Sequence, residues 1–154
     1  MNDMLKRMGL AGVVPVVVLD DVKDAVPLAN AMKNGGIPFA EVTLRTEAGL
    51  ASIEAIASMD SDVTAGAGSV MTLDNCKDAV SAGAKFIVSP GFNPKVVEYC
   101  VARDIPVLPG CVTPTEIIAA MEFGLDVVKF FPANVYGGLG AMKALNGPFP
   151  KLKF

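Results

Sequence analysis

The chain has 154 residues, a net charge of −3 and 52% hydrophobic residues, with no histidine at all. The missing histidine removes Ser–His and Cys–His nucleophile pairs and every His-ligated metal site, leaving acid–base work to Glu, Asp, Lys, Tyr or water. The three cysteines, Cys76, Cys100 and Cys111, show no CxxC spacing, so a disulfide framework or zinc site is not expected and a reducing, cytoplasmic compartment fits better. No basic run exceeds two residues, so nothing marks a nucleic-acid surface.

In chain order, residues 1–10 carry charges but no apolar core of signal-peptide type, and no export signal is read there. The run VVPVVVL (13–19) is seven residues long. A membrane helix needs about 20, so no spanning segment and no membrane partner are expected. Short apolar runs suit strands buried on both faces of a parallel sheet. After Asp20 a helix follows, in which Pro27 is expected to introduce a kink, with Gly36 at its end. The next strands are FAEVTL (39–44) and DVTAGAG (62–68). Thr72 can cap a helix that ends at Gly83, before FIVSP (86–90). Asn93-Pro94 opens another, before IPVLPG (105–110). Thr113-Pro114-Thr115-Glu116 is a capping box with proline at the first helical position. That helix ends at Gly124, and DVVKFFP (126–132) is the sixth strand.

The strands recur at intervals of roughly 20–26 residues, about one βα unit. This alternation predicts a single α/β domain with a parallel sheet. An open doubly wound sheet would be complete with six strands. A barrel needs eight units, so the count alone favours the open sheet.

The residues with chemical potential sit on the strands. Alternate side chains share a face, so Glu41, Thr43 and Arg45 point one way. Polar groups on a buried strand need partners, and the ordinary reading is a Glu41–Arg45 ion pair. Lys129 lies between Val127-Val128 and Phe130-Phe131-Pro132. Burying an ammonium is expensive, so a lysine there is expected to be available as the neutral amine that attacks a carbonyl. The plain alternative is a lysine snorkelling from a strand end. Gly66-Ala67-Gly68-Ser69 would let a ligand approach the backbone, with Ser69 offering a hydroxyl, or it is an ordinary tight turn. Ser89-Pro90-Gly91 is similarly ambiguous, Tyr136-Gly137-Gly138 reads as an anion cradle or a helix entry, and Cys111 as packing. Glu41, Arg45, Ser69, Pro90 and Lys129 all come from strands or their C-terminal ends, where α/β active sites lie.

The segments EVTLRT (41–46), VTAGAGSV (63–70), AGAKFIVSPGF (82–92), PVLPGCVTPTE (106–116) and GLDVVKFFPA (124–133) together resemble the 2-keto-3-deoxy-6-phosphogluconate / 4-hydroxy-2-oxoglutarate aldolase family. The resemblance covers nearly the whole chain and overrules the strand count. It implies a (β/α)8 barrel, a homotrimer, and neither a metal nor an organic cofactor. It implies Lys129 as the Schiff-base lysine, Glu41 as the acid–base that shuttles protons, Arg45 with Ser69 as holders of the pyruvate carboxylate, and Phe131 and Pro90 as lining. Serine stands where many members have threonine, and keeps the hydroxyl.

Family members continue past the LKF motif into strands seven and eight, whose loops hold the substrate phosphate. The expectation is therefore a single domain over 1–154 containing about the first six βα units, with two strand edges open to association. The expected reaction is retro-aldol cleavage to pyruvate and either glyceraldehyde 3-phosphate or glyoxylate. Two other readings are an inactive truncated barrel or small-molecule binding fragment, and an isomerase with Glu41 as base.

Overall fold

A computed structural model describes residues 2–154. The chain opens with α1 (Asp3–Ala11), which the sequence reading did not foresee. Its signals are conventional: the Asn2 side chain accepts from the Met4 N–H at 2.8 Å, and Gly12 closes the helix in the left-handed region. Next come β1 (Val16–Val17), a 3₁₀ turn (Val22–Asp24), α2 (Ala25–Asn34), β2 (Phe39–Thr43) and α3 (Gly49–Ala57). They are followed by β3 (Thr64–Gly68), α4 (Leu73–Ser81), β4 (Ile87–Ser89), α5 (Pro94–Val101), β5 (Val107–Pro109), α6 (Pro114–Glu122) and α7 (Gly138–Leu145).

The expected caps are present. Thr72 and Asn93 accept from backbone N–H groups, and the Thr113–Glu116 capping box is closed from both sides. Pro27, expected inside its helix, falls in the first turn. It is the third residue of α2, where a backbone N–H would have no intrahelical partner to lose. The first strand shrinks from the expected 13–19 to Val16–Val17, although the Glu41 N–H also reaches the Pro15 carbonyl at 2.9 Å.

The five strands are parallel and lie in the order β1-β2-β3-β4-β5. Each crossover advances one place and none reverses, whereas a doubly wound sheet reverses at a switch point. The expected sixth strand is reduced to two single bridges. Lys129 bridges Gly110 beyond β5, and Val127 bridges Lys153 on the other side. Lys129 N–H bonds the Pro109 carbonyl at 2.9 Å, and Val128 N–H bonds the Lys153 carbonyl at 3.0 Å. Each neighbour is touched at one point, too briefly for a regular strand, and Pro132 has no N–H to extend the pairing.

Alternation along the strands separates two surroundings. Val17, Ala40, Val42, Ala65, Ala67, Ile87 and Val107 pack against Ala29, Met32, Ile53, Ile56, Ala79, Val96 and Val97 of the helices. The opposite face carries Phe39, Glu41, Thr43, Gly66 and Gly68. There α1 contributes Met8 to a small cluster with Phe39, Phe86 and Val88, in which Phe39 and Phe86 meet edge-to-face at 6.3 Å. A third cluster joins Cys111, Ile117, Ala120, Val128 and Leu152 under α6. Among the described residues, no helix is long and apolar enough to cross a membrane.

Candidate active site

The face away from the core helices is where the chemical groups meet. Glu41, in the middle of β2, is 5% exposed. Its register partner on β3 is Gly66, and Thr43 is paired with Gly68. The Glu41 side chain leans along the strand and lies over Gly68: a Cβ built there would stand 2.5 Å from Oε1 and 2.6 Å from Cγ. Gly66 likewise makes room for the Phe86 ring. The GAG segment was open to two readings, a close approach for a ligand or an ordinary tight turn. Its two glycines seat the protein's own side chains, Phe86 at Gly66 and Glu41 at Gly68.

Lys129 reaches Glu41 from across the sheet. Its Nζ lies 3.2 Å from Glu41 Oε1, with the lysine side chain 22% exposed. The Phe131 ring stands 4.9 Å from the same nitrogen, close enough for a cation–π contact. Lys129 was expected as a desolvated amine, and it is found instead with an acid in contact. A carboxylate at hydrogen-bond distance can take the ammonium proton and leave a nucleophile.

Arg45 lies beyond the end of β2, and its partner is Ser69 rather than Glu41: Nε donates to Ser69 Oγ at 2.8 Å. The ordinary reading of a Glu41–Arg45 ion pair is therefore overturned, each residue having found a partner on another strand. Ser69 follows β3 with φ 57°, a conformation costly for a residue with a side chain. That backbone presents the hydroxyl to Arg45. A guanidinium so held by Nε is of the type that can meet a carboxylate bidentately through its other nitrogens.

Pro90 follows β4, and its carbonyl packs on Gly110, whose bridge partner is Lys129. It belongs to neither contact pair. The structure thus brings Glu41, Lys129 and Phe131 together, brings Arg45 and Ser69 together, and leaves Pro90 one strand away from the amine. Thr43, on the same face, is fully buried, and its Oγ1 has no partner among the described residues. Tyr136-Gly137-Gly138 is a helix entry: Gly137 precedes α7, and Gly138 N–H bonds the Ala133 carbonyl at 2.8 Å. Cys111 is buried, and burial together with the nearby Glu116 charge pushes its thiol up to about 12, so it packs rather than reacts. A cavity of about 770 Å³ at the other end of the strands is lined by Leu5, Met8, Leu10, Leu108, Val127 and Phe154. It contains none of the six expected site residues.

A family model described as "KDPG and KHG aldolase" matches residues 4–154. The 2-dehydro-3-deoxy-phosphogluconate aldolase of Treponema pallidum is 49% identical over 142 residues, covering 92% of this chain and 68% of that protein. The enzyme of the same name from Haemophilus influenzae is 40% identical over 152 residues, covering 99% of this chain and 72% of that one. Among solved structures, the 2-keto-3-deoxy-6-phosphogluconate aldolase of Zymomonas mobilis ZM4 with 3-phosphoglycerate superposes with a TM-score of 0.93 at 37% identity, over 99% of this chain and 72% of that one. The KDPG aldolase of Legionella pneumophila, with pyruvate captured as a covalent carbinolamine intermediate, gives 0.88 at 38% identity, over 92% of this chain and 68% of that one.

Proposed function

The chain belongs to the KDPG and KHG aldolase family, and from that premise we propose that it is a class I aldolase cleaving 2-keto-3-deoxy-6-phosphogluconate to pyruvate and glyceraldehyde 3-phosphate through a Schiff base on Lys129. Cleavage of 4-hydroxy-2-oxoglutarate to pyruvate and glyoxylate would use the same residues. The observation that carries the reading is the contact of Lys129 Nζ with Glu41 Oε1 at 3.2 Å on the inner face of the sheet.

The chemistry follows from that contact. Glu41 takes a proton from Lys129, and the neutral amine adds to the C2 keto carbon. Glu41 returns the proton to the carbinolamine hydroxyl, which leaves as water, and the iminium forms. Glu41, again a carboxylate, removes the C4 hydroxyl proton. The C3–C4 bond then breaks, the aldehyde departs, and the electron pair moves into the iminium to give an enamine. Protonation of C3 by Glu41 and hydrolysis release pyruvate and the free lysine. Arg45, braced by Ser69, holds the carboxylate next to C2, and Phe131 and Pro90 line the pocket.

The complete architecture is assigned as a single (β/α)8 barrel domain to which residues 1–154 contribute about the first six units. The strictly advancing strand order supports this, as does its continuation through Lys129 and Lys153. A homotrimer in the cytoplasm belongs to the same proposal; Val135, Tyr136 and Leu139 are exposed apolar residues that an assembly would cover. Borohydride added with pyruvate is expected to leave a stable adduct on Lys129, located by peptide mapping. No adduct, or one on another lysine, overturns the assignment.

A further inference from the structure

We infer that Gly68 is a positioning residue for the acid–base carboxylate of Glu41, acting through the side chain it lacks; the inference rests on the aldolase reading above. Among the described residues, Glu41 is the one carboxyl in a buried polar set otherwise made of the hydroxyls of Thr43, Ser52 and Ser89. Its arm is held down at one end by the strand and at the other by Lys129. Between these points it crosses Gly68, where a Cβ would fall 2.5 Å from Oε1, 2.6 Å from Cγ and 3.0 Å from Cδ. No real side chain tolerates such approaches, so any residue larger than glycine at 68 drives the carboxylate off its seat and away from Lys129.

The two glycines of β3 differ in what they protect. A Cβ at Gly66 strikes the Phe86 ring, which is locked against Phe39 in a buried cluster. That substitution disturbs packing. The three atoms nearest a Cβ at Gly68 all belong to the Glu41 side chain. Gly68 is also absent from the positive-φ glycines, so alanine suits its backbone. Gly68→Ala therefore moves one carboxylate and leaves the fold in place. A misplacement of about 1 Å at a catalytic group costs on the order of 10²-fold in rate.

The test uses two half-reactions of the full chain with pyruvate alone. Borohydride trapping reports Lys129. Exchange of the pyruvate methyl protons in D₂O reports proton transfer between Glu41 and the enamine. In Gly68→Ala, trapping on Lys129 is expected to reach the same final extent, with the melting temperature unchanged, while exchange falls by about 10²-fold. Because Gly68 acts through Glu41, the double variant Gly68→Ala/Glu41→Gln is expected to lose no more exchange than Glu41→Gln alone. Wild-type exchange in Gly68→Ala overturns the inference, and so do losses that multiply in the double variant. Failure of the wild-type chain to be trapped overturns the aldolase reading itself, a result distinguishable from the other two.

Discussion

Val42 and Glu41 are neighbours on β2, 0% and 5% exposed, yet they are buried in different ways. Val42 shares an apolar cluster with Ile53, Ile56 and the small residues Ala65 and Ala67 of β3. Glu41 is enclosed by a missing side chain at Gly68 and by the charge of Lys129. The same contrast runs along the sheet. One face is covered by the apolar residues of the helices. The other holds glycines, the Thr43 hydroxyl without a partner among the described residues, and, at and just past β1, Val16 and Val18, each 49% exposed. Strand alternation lets one set of strands do both jobs, with stability invested in one register and chemistry in the other. A one-residue slip would exchange them.

Variants on the two faces should therefore separate cleanly. The largest effect is expected at Glu41. Glu41→Gln removes the group that moves every proton in the cycle, so turnover should fall by about 10²–10⁴-fold while the denaturation midpoint changes little. Turnover within a few-fold of wild type would remove Glu41 from the mechanism. Ile53→Ala is the counterpart on the helix side. Ile53 is fully buried on α3, and its truncation should cost about 2–5 kcal/mol of stability. Below its lowered melting temperature it should still form the Lys129 adduct. An Ile53 variant that stayed folded but lost the adduct would break the separation between faces. Arg45→Lys is expected to be milder. It replaces a fork by a point charge and should raise the KM for the keto acid by the equivalent of about 1.5–3 kcal/mol, with kcat less affected.

Much of the site was legible because its residues violate the pattern of the strands that carry them. A lysine inside VVKFFPA and a carboxylate inside FAEVTL are polar groups at positions where an apolar residue is expected, and alternation fixed the face of each. Pairing was less legible. Glu41 and Arg45 share a strand, so their own sequence suggests that they meet. Their true partners, Lys129 and Ser69, are set by the register of other strands, which local spacing does not encode. The role of Gly68 was hidden for a related reason: GAGS reads as a turn or ligand approach, and only the course of the Glu41 side chain shows what the space is for. Helix α1 lies ahead of the first strand, outside the strand–helix repeat, so only its caps, Asn2 and Gly12, announce it. The shortening of the sixth strand depends on single contacts with Gly110 and Lys153 that no propensity reports.

The smallest effect is expected at the turn between β5 and α6, where neither face governs and a capping box sets the chain path. Glu116 Oε2 accepts from the N–H groups of Val112 and Thr113, each at 2.9 Å, and from the Thr113 hydroxyl at 2.8 Å. Burial alone would raise this carboxyl, but those three donors outweigh it and hold it below its ordinary value. A lowered folded value means that the stabilisation is complete above the unfolded carboxylate range, about 4.3, and is lost as pH falls through the folded value. Thr113→Ala should cost about 1 kcal/mol at pH 7. Part of that cost is the hydroxyl's bond to ionised Glu116, which the wild type also loses on protonation. The gap between the two proteins should therefore narrow at pH 3, as measured by urea unfolding at both pH values. A gap that stays constant or widens would show that the box is held by geometry without the charge. The turn also matters to the site, because Cys111, one residue before it, donates its N–H to the Lys129 carbonyl at 2.8 Å. A looser turn should accordingly slow formation of the Lys129 adduct by a small factor, and in Thr113→Ala that slowing should track the lost stability as pH is lowered.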